Sequence, residues 1–427
     1  MKSHDVTAGI TVRTSCRVCG GGDLVDLFSL GTQWVNDFVA REDAGKGMRC
    51  PLTLMLCGRC GLVQLRHTSP PDWMYKRFYW YRSGVTETMR AALGDIAEAV
   101  QRIAPLGAGD VVLDIGSNDG TLLRAYDTPG LVKVGIEPAL NFAAIGAEGV
   151  DLFINDYWDY AAYAARLPRT AKAITAIGMF YDMEDPNQFI ADIASALDQQ
   201  GLFVAQLMCL QNMLNIRDLG NICHEHLEYY SYESLEFLFG AHGLEIVDAE
   251  TNDVNGESFR FYCRHKGAGV PAPAGAAERL RRIREAEARY REPALYQAFF
   301  EELQRNRDRT VAFIRNEVSA GRKVWVYGAS SKGNVILQFF GLNRTLIEGA
   351  AERSPEKYGK YTVGSMIPIH SEDEARRANP DYFLVLPYAF VKEFIRREQA
   401  WLDRGGRFII PLPEFRIVRS IEDVDRA

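Results

Sequence analysis

The sequence predicts an α/β protein: two doubly wound (Rossmann-like) units, each a mostly parallel sheet between helices, behind a small N-terminal zinc-ribbon-like module. Three observations predict it. Short apolar runs alternate with helical segments between residues 111 and 205, and the alternation starts again at residue 323. A Gly/Pro/Ala stretch, GAGVPAPAG beginning at Gly267, lies between them. Five of the eight cysteines fall in the first 60 residues, so something local placed them. The 427 residues suffice for about three domains, and the boundaries expected are 1–68, 69–266 and 276–427.

Composition excludes several classes. Lys plus Arg is 49 against 56 for Asp plus Glu, a net charge of -7, which argues against a nucleic-acid-coating protein. No apolar run is long enough to span a bilayer, and MKSHDVTAGI lacks the charged and apolar regions of a secretion signal. A cytoplasmic chain is expected, monomeric or a weak homo-oligomer, with neither nucleic acid nor membrane as partner.

The cysteines come first in the chain. Cys16-Arg-Val-Cys19 and Cys57-Gly-Arg-Cys60 are two CxxC knuckles, each followed by glycine. Two thiolates at that spacing can face one tetrahedral ion from a tight turn, and the second knuckle completes a four-sulfur cage. Structural zinc is expected, bound by Cys16, Cys19, Cys57 and Cys60. Two disulfides are disfavoured in a reducing compartment, while iron in the same cage stays open. A closed cage leaves no coordination position for substrate, so its role is folding. Cys50 reads as packed or solvent-facing.

After Pro70-Pro71 comes a stretch of large rings: Trp73, Tyr75, Phe78, Tyr79, Trp80 and Tyr81. It serves equally as core or as the wall of a binding site. From Thr86 to Ile103, Met89, Leu93, Ile96 and Val100 share one helical face. Val111–Gly116 reads as a buried strand entering a turn, Thr121 as a helix start, and Val132–Ile136 as the next strand, ending at Glu137. Ile174–Ile177 and Gly201–Ala205 continue the alternation. Charged helical sequence fills 276–319, and Lys323–Tyr327 opens the second sheet.

The turn Asp114-Ile-Gly116-Ser-Asn118-Asp119-Gly120 has the short DxGxxxG form, not GxGxxG. Glycines there let backbone amides approach a ligand, and an acidic residue at the next strand's tip, Glu137, can bind a ribose diol. Such a turn also serves plain packing. Asp114 and Asp119 repel a diphosphate and suit a cationic ligand such as S-adenosylmethionine. Cofactor contacts are therefore expected from Asp114, Gly116, Asn118, Asp119, Gly120 and Glu137.

VVLDIGSNDGTLLRAY followed by VGIEPALNFA resembles the S-adenosylmethionine site of the bacterial nucleotide-sugar C-methyltransferases, which act on nucleotide-linked keto-deoxysugars. The resemblance runs along nearly the whole chain, through the cysteine module, an HEH segment, YGASSKGN and RGGRFIIPLPE. It implies a class I methyltransferase domain followed by a Rossmann-like domain that helps hold the sugar nucleotide.

Taken alone, Cys223-His224-Glu225-His226 is a poor metal site. It reads either as polar side chains at a surface turn or as a general base with its carboxylate. The resemblance implies His226 as the base, with Glu225 and a tyrosine assisting. The family's tyrosine position before this motif is Cys223 here, and Tyr79 or Tyr81 is expected to supply the other phenol. His224, Ser258 and Arg260 are expected substrate contacts, and Asn255 stands where the family carries histidine. In Gly178–Asp185, which departs from the family's Asn and His, Phe180 and Tyr181 are expected at the cofactor, and Asp185-Pro186 suits a helix start.

In the C-terminal half, strand Val324–Tyr327 runs into Gly-Ala-Ser330-Ser-Lys332-Gly-Asn334. Free amides at a helix N-terminus, two hydroxyls and a lysine form an anion site, or simply a helix start. Ser330, Lys332, Asn334 and Lys357 are the expected contacts to a diphosphate sugar. The function expected is methyl transfer from S-adenosylmethionine to a carbon beside a ketone. The alternatives are an O- or N-methyltransferase of the same fold and a zinc-containing scaffold without catalysis.

Overall fold

The computed structural model describes residues 9–425 except 36, 72–73, 76–78, 209 and 253–257. Trp73, Phe78 and Asn255 therefore lie outside the described residues.

Beginning at residue 111, the strand signals resolve into a seven-stranded sheet in which Val111–Ile115 is an interior strand. Val132–Ile136 and Leu152–Ile154 extend it on one side; Ala171–Ile177, Leu197–Leu207, Ser258–His265 and Leu244–Asn252 extend it on the other. Six strands run in one direction, and Ser258–His265 inserts antiparallel to both its neighbours. Val111–Ile115 is buried at every position, as a strand covered on both faces must be, which is why it reads as an unbroken apolar run. Helix Glu87–Ile103 starts at Thr86, whose side chain caps Met89 N–H at 3.2 Å. Leu93, Ile96 and Val100 face the core as the periodicity predicts, while Met89 is half-buried and lines a cavity.

The C-terminal sheet has six strands, with Val324–Tyr327 between Ala350–Glu352 and Tyr382–Val385, and Arg416–Val418 the antiparallel edge. Helices Ala276–Ala286 and Pro293–Ser319 occupy the charged stretch between the two sheets.

The N-terminal module ties these units together. Its sheet contains Leu24–Trp34, Arg49–Cys57 and Val63–Leu65, and its fourth strand is Glu228–Tyr229 from the middle of the chain, paired Glu228 to Gln64 and Tyr229 to Val63. On the other side Phe38–Val39 pairs with Tyr361–Thr362 of the C-terminal unit. The pleat sends alternate residues to opposite faces. Cys57 joins the core of the middle sheet, whereas its neighbour Leu56 joins the core shared with the C-terminal sheet.

Phe180 sits at the centre of the first core. Its ring stacks on Tyr230 at 5.1 Å and on Phe189 at 5.3 Å, and it is fully buried. Phe180→Ala should therefore cost about 3–5 kcal/mol of stability, read as a lowered urea midpoint with an unchanged slope.

Candidate active site

The two cysteine knuckles are near copies. Cys16 N–H donates to Gly21 O and Gly20 N–H to Cys16 O; Cys57 N–H donates to Leu62 O and Gly61 N–H to Cys57 O. Gly20 and Gly61 both have positive φ, 67° and 74°, which closes each turn without a Cβ penalty. The four sulfurs lie within 4.8 Å of one another, with Cys16–Cys60 and Cys19–Cys57 both at 3.5 Å. Four thiolates around zinc at about 2.3 Å stand roughly 3.8 Å apart, so the cage fits the ion. Cys50, outside it, is fully buried.

All three units meet around one cavity of about 1440 Å³. On the middle unit's side lie Asp114, Gly116, Asn118 and Glu137. Asp114 accepts a 2.6 Å hydrogen bond from Thr175 Oγ1, and burial pushes its carboxyl up to about 7. Gly116 has φ of 71°, and a Cβ there would stand 2.7 Å from Met179 Cγ. Glu137 is buried at the tip of its strand, accepting from Asn118 N–H at 2.9 Å and Ala139 N–H at 2.8 Å. An open glycine turn beside a fixed carboxylate suits the ribose and cationic tail of S-adenosylmethionine.

Asn118 and Asp119 have a further task. Asn118 Nδ2 donates to Tyr81 O at 3.0 Å, and its Oδ1 accepts from Ser83 N–H at 3.0 Å. Asp119 Oδ2 accepts from Gly84 N–H at 2.9 Å and Arg82 Nε at 3.2 Å. Both thereby strap the aromatic entry segment over the turn. Asp119 and Gly120 stand behind the residues that line the cavity.

The HEH segment folds as a turn, closed by His226 N–H to Cys223 O at 3.2 Å, and its two imidazoles diverge. His224 is buried, with Nε2 2.9 Å from Cys50 O of the N-terminal sheet; it joins two units and does not line the cavity, contrary to its expected substrate role. His226 does line it, with Nδ1 2.8 Å from Asn221 O. A carbonyl can only accept, so Nδ1 carries the proton and Nε2 is left with its lone pair. Burial, and then the Lys332 ammonium, pull the His226 pKa down to about 3, so the imidazole is neutral. Tyr181 packs edge-on against it, centroids 4.5 Å apart.

Around this ring the wall is rich in phenols and carboxyls. Tyr75 OH donates to Glu225 O at 2.8 Å. Asp182 is driven well above the usual carboxylate range by burial and by the Glu225 and Glu228 charges. Tyr79 is held at its backbone by Asn141, at 3.0 and 3.2 Å, and its phenol is raised by burial and by Asp182, Glu225 and Glu137. Tyr81 also lines the cavity but is 43% exposed.

From the C-terminal unit, Ser330 caps helix Ser331–Phe340 through Gly333 N–H at 3.0 Å. Lys332 Nζ lies 3.7 Å from Oδ2 of Asp218, whose Oδ1 accepts from Tyr388 OH at 2.8 Å. Lys357 Nζ donates to Ala329 O at 2.8 Å and lies over the Phe38 ring at 4.7 Å. Ser258, Ser330, Lys332 and Lys357 line the cavity.

Three further expectations are corrected by placement. Phe180 belongs to the core, and it is Tyr181 that reaches the cavity. Arg260 is buried among Gln206, Asp95 and Glu250, away from the lining. Asn334 donates to Asp37 O at 3.0 Å and serves the joint between units. Sequence reading passed over Asp218 and Tyr388, whose partnership spans 170 positions. It also passed over Arg17, whose place inside the first knuckle was the available signal.

Comparison with known proteins supplies three matched regions: a zinc binding domain over residues 16–75, a methyltransferase domain over 87–249 and a C-methyltransferase C-terminal domain over 253–413. C-methyltransferase NovU of Streptomyces niveus is 32% identical over 412 residues, covering 95% of this chain and 97% of its own. Among solved structures, mitomycin 7-O-methyltransferase MmcR is 16% identical, with a TM-score of 0.34, over 42% of this chain and 54% of its own. Magnesium protoporphyrin IX methyltransferase of Synechocystis PCC 6803 with bound SAH is 13% identical, with a TM-score of 0.34, over 44% of this chain and 91% of its own.

Metal analysis should find one zinc per chain. Cys60→Ser should lower that content, and chelation should lower the melting temperature because the cage closes the N-terminal sheet.

Proposed function

The chain belongs to the C-methyltransferase family and is an S-adenosylmethionine-dependent methyltransferase, and from that premise we propose that it methylates the carbon beside the ketone of a nucleotide-linked keto-deoxysugar, with His226 as the base. The observation that carries this reading is His226 itself: neutral, pinned through Nδ1, and lining the cavity to which both Glu137 and Lys332 contribute.

A carbon acceptor differs from an oxygen or nitrogen acceptor in needing a C–H proton removed before it becomes a nucleophile. His226 Nε2 takes that proton, and the Asn221 carbonyl steadies the imidazolium through Nδ1–H. Electron density moves from the broken C–H bond to the ketone oxygen, giving an enolate. The Lys332 ammonium and the Tyr79 phenol are the cation and donor that stabilise the oxyanion. Glu225, one residue before His226 on the loop, lines the same cavity and is the carboxylate assigned to assist the base.

Asp114, Gly116, Asn118 and Glu137 hold S-adenosylmethionine, with Asp119 and Gly120 shaping the turn; when bound it supplies an electrophilic methyl. On the opposite wall, Ser330 and Lys332 at a helix N-terminus suit a diphosphate, Lys357 adds a second cation, and Ser258 adds a hydroxyl. The cysteine at position 223 removes one phenol from this wall, while Tyr75, Tyr79 and Tyr181 remain.

A panel of nucleotide-activated keto sugars incubated with labelled S-adenosylmethionine and read by mass tests the substrate class. On the substrate so found, His226→Asn should lower turnover by roughly 10²–10⁴-fold while calorimetric affinity for S-adenosylmethionine stays near wild type. Turnover retained in that variant would sink the base assignment.

The pH dependence follows from the direction of the shift. A base with a depressed pKa stays deprotonated as pH falls, and is lost only on approaching about 3. At saturating methyl donor, kcat should hold its plateau from pH 7.5 down to about 5. An acid limb with a midpoint near the ordinary histidine value would contradict a neutral His226 pinned through Nδ1.

A further inference from the structure

The chemistry above uses no residue of the first cysteine knuckle, yet Arg17, between Cys16 and Cys19, sends its side chain into the middle unit with no solvent exposure. There it meets two loops of that unit at once. Its Nη2 lies 3.2 Å from Glu184 Oε2, and its Nε lies 3.5 Å from Glu228 Oε1. Glu184 is two residues past Asp182 and three past Tyr181; Glu228 is two residues past His226. The rest of the fork is anchored at home, on Leu65 O at 2.6 Å and Thr68 Oγ1 at 2.7 Å. The knuckle backbone is tied to the same region, since Asn187 Nδ2 donates to Arg17 O at 2.8 Å and Val18 O at 3.0 Å.

The two loops are in direct contact beside this guanidinium. Leu227 N–H donates to Tyr181 O at 2.8 Å, and Met183 N–H reaches Glu228 Oε2 at 3.3 Å. They also bring Asp182, Glu184, Glu225 and Glu228 into one neighbourhood, where their charges repel. Without a cation the loops would part or admit water. Arg17 is the buried cation at that point, and its approach is set by the metal knuckle.

We propose that Arg17 is a positioning residue: by pairing with Glu184 and Glu228 it holds the 178–185 and 221–229 loops together, so that the wall around His226 forms only when the zinc knuckle is folded. This deepens the reading of His226 as the base and rests on it for its catalytic meaning, but the geometry is testable without substrate. The charged group facing His226 from outside these loops is Lys332, on the C-terminal helix, which the variants below leave in place.

The experiment follows the His226 ring resonances by NMR in full-length, zinc-loaded protein carrying labelled histidine, with His226→Gln providing the assignment. In the wild type His226 should be silent between pH 5 and 8. In Arg17→Met, with zinc content unchanged, it should titrate with a midpoint shifted toward the ordinary value of about 6.5. Arg17→Lys, which keeps the charge and loses the fork, should give an intermediate shift. A silent His226 in zinc-loaded Arg17→Met, or in Arg17→Lys should the Met chain not fold, overturns the proposal. If instead the base reading is at fault, His226→Asn keeps its turnover while the Arg17 titrations still shift, so the two failures are told apart.

Discussion

A guanidinium with no solvent exposure survives only where acceptors surround it, and the geometry around Arg17 meets that demand with a carbonyl, a hydroxyl and two carboxylates. Removing one side of such a buried pair typically costs about 3–5 kcal/mol, so this junction links the stability of the N-terminal module to that of the site. Everything nearby is arranged consistently with it. The strand Glu228–Tyr229 completes the N-terminal sheet, His224 bonds Cys50 O, and the zinc cage fixes the turn from which Arg17 departs. A metal site remote from the chemistry thereby governs the shape of the wall that carries it.

That wall is unusual in its charge balance. Carboxyls crowd it, yet burial raises Asp182 and lowers His226, so these two cavity-lining groups are held toward their neutral forms. A neutral imidazole can accept a proton, and neutral phenols can donate to an oxyanion. The positive charge comes mostly from the C-terminal unit, through Lys332 and Lys357. On the proposed reading, the middle unit carries the donor site and base, and the C-terminal unit supplies cations for an anionic partner. Neither half of the cavity is complete without the other, and the N-terminal module makes backbone pairings with a short strand from each of the two units.

Much of this was legible in the sequence because the signals were local. Two CxxC spacings specify a cage, DIGSNDG specifies an open turn, and unbroken apolar runs specify strands covered on both faces. The direction in which a polar side chain points is a different matter. His224 and His226 are two residues apart, and in a strand they would have shared a face. In the turn they adopt, one ring meets Cys50 O and the other Asn221 O. Arg260 and Asn334 looked like ligand contacts because they stand beside motif residues, yet partners from distant segments, Asp95 and Asp37, claim them. Arg17 was invisible for the same reason, since its two carboxylate partners, Glu184 and Glu228, lie more than 160 positions away. Local pattern encodes period and turn chemistry; it does not encode which distant carboxylate a side chain will neutralise.

The central claim is that a carbon acid is deprotonated in this cavity before any methyl group moves. The measurement that tests it most directly is exchange at the substrate carbon in D2O, on a nucleotide-linked keto sugar that the enzyme methylates, with enzyme present and methyl donor absent. The account predicts deuterium at the carbon beside the ketone for wild type, and loss of that exchange in His226→Asn. Methyl transfer to a sugar oxygen or nitrogen, with no deuterium at any carbon, would contradict it.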